Sequence, residues 1–211
     1  NRRKNTLSMK NDIDQLMQDR ELDALLVVGA GQHNPSMVYL TGGAHLTNAI
    51  LVKPRGKPAR LFYRSMERDE AAKSGLVIQD MDDYQMVVKP GSSRPVALSA
   101  AETIQRILSD LGIRRGKAAL YGKMDAGQSY TTFTSLQKAL PELELIGESD
   151  SLILSAMATK DEGEAARIRR MGQITTEVVG RTAELLSSRN VSDHMLVKQD
   201  GAPLTIGDVE K

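Results

Sequence analysis

The fold of this chain is most clearly indicated by residues Asp23-Ala24-Leu25-Leu26-Val27-Val28-Gly29. Its apolar core is short, unbroken and ended by a glycine, so both sets of alternating side chains are apolar. A strand of this kind must be covered on both faces, as in a parallel or mixed sheet. The stretch therefore predicts a buried strand of an α/β fold.

The sequence on either side of this strand predicts alternating strands and helices. Residues 44–52 and 60–63 are further strand candidates, and the turn Pro54-Arg55-Gly56-Lys57-Pro58 predicts that they form a hairpin. Further strands are predicted at residues 76–78, 118–121 and 143–146, and helices at 8–20, 67–73, 96–111 and 130–140. The alternation predicts an α/β sandwich, and the hairpin indicates a mixed sheet.

The chain is expected to divide into three parts, which are residues 1–149, a linker over 150–158 that could be helical, and 159–211. Thr159-Lys160-Asp161-Glu162 has the pattern of a capping box and predicts a helix that runs to about Ser187. Its apolar stripe consists of Ile168, Met171, Val178 and Leu185. A long helix with such a stripe needs a surface to bury it, so we expect further sequence downstream.

Composition excludes several classes of function. Lys and Arg number 28 against 27 Asp and Glu, and aromatic residues make up only 3% without any Trp. The balanced charge and scarce aromatics argue against nucleic acid or an anionic membrane as a partner. Cysteine is absent, which excludes disulfides, thiolate metal sites and a Cys nucleophile. No apolar run approaches the ~20 residues of a membrane helix, and we predict a cytoplasmic protein.

Isolated chemical motifs favour structural interpretations. The three histidines, His33, His45 and His194, lack a metal-binding spacing and are expected at the surface. The acidic group Asp80, Asp82 and Asp83 lacks the rest of a calcium loop and indicates a solvated turn. Gly29-Ala30-Gly31 has Asn34 where a dinucleotide loop needs its third glycine, so it predicts an ordinary loop.

The segment from Gln32 to Gly42, which reads Gln-His-Asn-Pro-Ser-Met-Val-Tyr-Leu-Thr-Gly, has two interpretations. The first is a loop after the strand, turned by Asn34-Pro35 and by Gly42-Gly43, with its central apolar residues buried. The second is a functional surface at the domain edge, because open α/β sheets place ligands in the loops after their strands.

This segment and a second one, Ala158-Thr159-Lys160-Asp161-Glu162-Gly163-Glu164-Ala165-Ala166-Arg167-Ile168-Arg169-Arg170, occur in an order and at a spacing of about one domain. Together they resemble the creatinase/prolidase, or pita-bread, metallopeptidases, and in particular Xaa-Pro aminopeptidases. The resemblance implies a mixed-sheet amino-terminal domain that is ribonuclease H-like, followed by the long helix of a truncated pita-bread catalytic domain.

The family builds a site for two divalent metal ions, Mn, Co or Zn, from two Asp, one His and two Glu of its carboxy-terminal half. No stretch here matches those motifs, so the resemblance implies an inactive amino-terminal part of a proline-specific peptidase. Its implied partners are its own catalytic domain, a second subunit in a dimer and a proline-containing peptide. By motif position, His33, Asn34 and Tyr39, with Arg68 near the helix at 67–73, become candidates for the substrate cleft or an interface.

Two alternatives stay open. A stand-alone binding or scaffold protein could use the same domain without catalysis, and a creatine-hydrolysing relative would share the fold. The intact mass of the native gene product separates the first alternative from the peptidase, because the peptidase would be about twice as long as this chain.

Overall fold

The computed structural model describes residues 11–88, 94–160 and 162–210. It divides into two compact units, Asn1–Thr159 and Lys160–Lys211. Two sequence predictions lie partly outside the described residues, namely the start of the helix at 8–20 and Asp161 of the capping box.

The first unit is built on a mixed sheet, whose described strands follow the order β4-β3-β2-β1-β7-β8. These strands are β1 (Ala24–Gly29), β2 (Ala49–Pro54), β3 (Arg60–Tyr63), β4 (Val77–Asp80), β7 (Gly116–Gly122) and β8 (Leu143–Ile146). Between β4 and β7, β5 (Met86–Val88) and β6 (Pro95–Ala97) form a separate antiparallel ribbon. The predicted hairpin and the predicted mixed sheet are both confirmed.

Helices cover both faces of this sheet. They are α1 (Asn11–Asp19), α2 (Pro35–Thr41), α3 (Arg68–Lys73), α4 (Asp82–Gln85), α5 (Ala100–Asp110), α6 (Ala126–Ala139) and α7 (Leu152–Ala158). Side chains of β1 alternate between two cores, since Leu25 and Val27 face the one with α1, α2 and α7, and Leu26 and Val28 face the one with α5 and α6. This alternation explains why the strand is apolar at every position.

Two glycines let β1 and β7 end close together. An ideal Cβ at Gly122 would lie 2.0 Å from the carbonyl oxygen of Val28, and one at Gly29 would lie 2.3 Å from the carbonyl oxygen of Lys123. Both glycines have positive φ, +122° at Gly122 and +110° at Gly29. Only glycine meets both conditions without strain, so the carboxyl edge of the sheet depends on these two positions.

The segment after β1 contains a helix that the loop interpretation missed. Asn34 caps α2, Pro35 occupies its first turn, and Gly42 ends it with a left-handed φ of 72°. This combination of a capping Asn, Pro inside the start and Gly beyond the end is the normal punctuation of a short helix. The burial of Met37 and Leu40 agrees with the prediction that the apolar residues of the segment point inward.

Three predicted boundaries or faces are wrong. The strand expected from residue 44 begins only at Ala49, and residues 44–48 form a loop instead. The helix expected from about residue 96 begins at Ala100, because Ser99 and Glu102 form its capping box while Pro95–Ala97 pairs with β5. Tyr130, expected on the buried face of its helix, is 76% exposed on α6.

The region interpreted as a linker forms α7, whose side chains Leu152, Ile153 and Ala156 are buried in the core of the first unit. The guanidinium of Arg20, just beyond α1, ties the chain leading into α7 by an ion pair of 2.8 Å to Glu148 and a bond of 3.1 Å to the Ser155 hydroxyl. The structure therefore places the first unit's boundary at Thr159 rather than near Ser149.

The second unit contains α8 (Glu162–Ser187), the hairpin of β9 (Asn190–Ser192) and β10 (Met195–Val197), and α9 (Ile206–Val209). The predicted length of α8 is confirmed, and none of its side chains is buried. Thr159 does not open this helix as the capping-box pattern suggested. It ends α7, and its hydroxyl donates to Asp12 at 2.8 Å.

No helix in the described part of the chain combines the length and the apolar character needed to span a membrane.

Candidate functional site

Asn34, the first of the predicted site residues, is buried at the join between β1 and α2, with only 1% of its surface exposed. Its amide nitrogen donates to the carbonyl oxygen of Val28 at 3.0 Å, and its amide oxygen accepts from the backbone N–H of Met37 at 3.4 Å. Both ends of the amide are therefore engaged within the domain. In this structure Asn34 fixes the path of the chain from strand to helix.

Tyr39, the second predicted residue, is partly buried on α2. Its hydroxyl donates to the carbonyl oxygen of Ala156 at 3.1 Å, in the last turn of α7. This bond joins the segment after β1 to the end of the first unit. Like Asn34, Tyr39 makes its described polar contact inside the domain.

His33 and Arg68, the remaining two candidates, are exposed. His33 has a left-handed backbone with φ 53°, a conformation that His adopts more readily than most residues. Its neighbour Gln32 makes a side-chain hydrogen bond of 2.7 Å to the ring nitrogen Nδ1 of His45. Arg68 begins α3, directly after a short 3-10 helix, Ser65–Glu67.

Two carboxylates lie close to Arg68 in the chain, and one of them, Glu67, binds the loop of residues 44–48. Glu67 accepts from the backbone N–H of Thr47 at 2.7 Å. Glu70 accepts a hydrogen bond from Lys73, and this contact holds the pKa of its carboxyl below the ordinary value. The second oxygen of Glu67 is buried without a hydrogen-bond partner among the described residues.

Two of the four predicted residues lie next to residues that contact one loop. Gln32, beside His33, and Glu67, beside Arg68, both contact the loop of residues 44–48. His33 and Arg68 lie exposed next to these contacts, whereas Asn34 and Tyr39 are held beneath the surface by their own hydrogen bonds.

Among the described residues, no group of three or more His, Cys, Asp or Glu side chains is placed to hold a metal ion. Of the acidic residues singled out from the sequence, Asp80 ends β4, and Asp82 and Asp83 lie in the first turn of α4 rather than in a solvated turn. Asp80 and Asp82 both lie within hydrogen-bond distance of the Ser65 hydroxyl, at 2.6 and 2.7 Å, and Asp80 also accepts from the backbone N–H of Asp82 at 2.9 Å.

The sequence model of the creatinase/prolidase N-terminal domain matches residues 11–153. The chain belongs to this family. The match covers the six main strands, the four candidate residues and the first of the two sequence segments, and it confirms the resemblance to the family. The second segment, residues 158–170, lies outside the match. No curated protein matches the chain by sequence.

Solved structures of peptidases share this creatinase/prolidase domain fold. An X-Pro aminopeptidase from Thermotoga maritima has a TM-score of 0.55 and 19% identity, covering 82% of this chain and 42% of its own. A dipeptidase from Pyrococcus horikoshii has a TM-score of 0.56 and 17% identity, and the match covers 84% of this chain and 45% of the dipeptidase. A prolidase from Thermococcus sibiricus has a TM-score of 0.55 and 14% identity, and the match covers 82% of this chain and 43% of the prolidase. The chain spans less than half the length of each of these proteins.

Sequence reasoning did not find Glu67, the glutamate that binds the loop. It lies in the predicted helix of residues 67–73, where an acidic residue suits a helix start whether or not it binds anything else. Its bond to Thr47 joins parts of the chain 20 residues apart. No local pattern encodes such a pairing.

Proposed function

We propose that this chain is the non-catalytic amino-terminal part of a metal-dependent Xaa-Pro aminopeptidase or dipeptidase. The observation that carries the proposal is the shared fold of a domain that spans less than half of each of three peptidases. In this proposal the divalent metal pair and its ligands belong to sequence beyond this chain, and the domain itself cuts no peptide.

The contribution of the domain is to wall the substrate cleft and to support assembly with a second subunit. The exposed side chains of His33 and Arg68 would provide the contacts, since both lie beside the loop of residues 44–48. Asn34 and Tyr39 would hold that edge in place from below. The substrate in this proposal is a short peptide that contains proline.

A peptidase assay tests the absence of catalysis. The purified chain is incubated with a Xaa-Pro peptide and Mn, Co or Zn, and the release of the first amino acid is followed. We expect no release above the buffer. Release that a chelator abolishes would place a complete metal site in this chain and contradict the proposal.

The native gene product tests the rest. An intact mass of about twice this chain, with the family's metal ligands in the added sequence, supports the peptidase. In that longer protein, His33→Ala and Arg68→Ala should raise KM for a Xaa-Pro peptide, whereas Arg115→Ala, an exposed control, should not. A native product that stops near Lys211 would favour the alternative, a stand-alone binding protein on this fold.

A further inference from the structure

A cleft of about 650 Å³ lies at one edge of the main sheet. Strands β1, β3 and β7 run in the same direction, because β1 pairs parallel with β7 and is separated from β3 by the antiparallel β2. Their carboxyl ends therefore meet at this edge, where open α/β sheets commonly bind ligands. The volume falls within the range of about 300–1,000 Å³ that is typical of small-molecule sites.

Two cationic residues come directly after these strand ends and line the cleft. Arg64 follows β3, and Lys123 follows β7. Within the described part of the chain, neither side chain has a hydrogen bond or ion pair. Cations left unpaired in one concave surface attract an anion, and the planar fork of an arginine matches a carboxylate or a phosphate.

The negative charge in the lining is already engaged. Asp125 lines the cleft, but it caps α6, and its carboxylate accepts from the backbone N–H of Gln128 at 3.1 Å. The lining thus carries two cations against one carboxylate that is committed to the helix end. An incoming anion would meet a net positive surface.

The inner wall of the cleft is apolar. Ile50, Met81 and Ile104 line it and also belong to the buried core beneath, so their positions are fixed by packing. The amide side chains of Asn48 and Gln85 add hydrogen-bonding groups to the lining. A few polar groups over an apolar wall form the usual composition of a small-molecule site.

We propose that this cleft binds a small organic anion, with its carboxylate or phosphate on Arg64 and Lys123 and its apolar part against Ile50, Met81 and Ile104. The site does not depend on the function proposed above. Gly29 and Gly122 shape it, because they let β1 and β7 end side by side.

Titrations followed by the backbone amide NMR signals of the isotope-labelled chain test the proposal. The probes are N-acetyl-leucine, its neutral amide, acetate and isobutyl phosphate. We expect saturable shifts at Gly29, Ala30 and Gln128 with the leucine acid and with isobutyl phosphate, and much weaker ones with the other two. The tighter of the two binding probes identifies the preferred anion.

Charge-removing variants complete the test. Arg64→Gln and Lys123→Gln should each weaken binding about tenfold or more, as expected for the loss of one hydrogen bond to a charged group. Arg115→Gln and Lys57→Gln are exposed controls outside the cleft and should leave binding unchanged. Both cleft cations are exposed, so the fold should survive their loss. Equal shifts with the acid and the amide, or binding that both cleft variants retain, would overturn the proposal.

Discussion

The hydroxyl of Tyr39 donates a hydrogen bond of 3.1 Å to the carbonyl oxygen of Ala156. The bond joins the helix after the first strand to the last turn of α7, far along the chain. It shows that residues 150–158 are integrated into the first unit, whose core also contains Leu152 and Ile153.

Truncation tests this integration. A chain that ends at Thr159 should unfold cooperatively, whereas one that ends at Ser149 loses α7 and its buried side chains Leu152 and Ile153. Burial of each such side chain stabilises by about 1.5–3 kcal/mol, so the shorter chain should be several kcal/mol less stable. Thermal unfolding followed by circular dichroism measures the difference. Equal midpoints for the two chains would show that α7 is dispensable.

The hydrogen bond itself can be removed alone. Tyr39→Phe keeps the ring and deletes the hydroxyl, and we expect a loss of about 1 kcal/mol in the free energy of unfolding. Tyr130→Phe is the matched control, because Tyr130 is exposed on α6 and should tolerate the change. Urea unfolding measures the free energy of unfolding of both variants. An equal loss in the two variants would show that the hydrogen bond of Tyr39 does not stabilise the fold.

Gly122 should not accept a side chain. Gly122→Ala combines a left-handed φ of +122° with a Cβ position 2.0 Å from the Val28 carbonyl oxygen, so β1 and β7 would have to separate. We expect a loss of at least about 2 kcal/mol. Gly147→Ala is the control, since its Cβ would meet no heavy atom within 4 Å. A neutral Gly122→Ala in urea unfolding would contradict the close approach.

The apolar side of α8 should promote self-association. Met171 and Val178 are 60% and 57% exposed, and an exposed apolar stripe on a helix is a common association surface. We expect dimers at high concentration and their loss in the double variant Met171→Glu, Val178→Glu. Met66→Glu, on a fully exposed methionine of the first unit, is the control. Sedimentation that finds only monomers of the unchanged chain would refute the expectation.

Tyr84 predicts a pH dependence. Burial raises its pKa above the ordinary value, and its hydrogen bond of 2.9 Å to Asp110 adds to the rise. The folded state therefore favours the neutral phenol, so the stabilisation is complete below the unfolded pKa of about 10 and is lost as the pH rises through the folded value. Tyr84→Phe should cost about 1 kcal/mol near neutral pH.

At alkaline pH, above about 10, the difference in unfolding free energy between the unchanged chain and Tyr84→Phe should shrink. In this range the phenol ionises more readily in the unfolded state than in the folded state, which destabilises the unchanged chain, whereas Tyr84→Phe has no phenol to ionise. Urea unfolding at several pH values measures it, with Tyr130→Phe as the control. A difference that stayed constant with pH would argue against a raised pKa at Tyr84.

Features that depend on neighbouring residues can be predicted from the amino-acid sequence alone. The unbroken run Ala24–Gly29 required cover on both faces, and the repeat of apolar residues along α8 required a long helix with one apolar side. The order of the two motif segments was enough to indicate the family. Each of these signals is local, because the period of a helix or strand repeats within a few residues.

Contacts between distant parts of the chain cannot be predicted in this way, and they become visible in the folded structure. Tyr39 is hydrogen-bonded to Ala156, and Glu67 is hydrogen-bonded to Thr47. Arg64 and Lys123 line one cleft because the strands before them run parallel and end at the same edge of the sheet. Such pairings depend on how the chain returns to itself, and a side chain's possible hydrogen bonds do not say which partner it will have. Strand pairing and core packing determine which distant residues are in contact, and both depend on the whole chain rather than on any one position of the sequence.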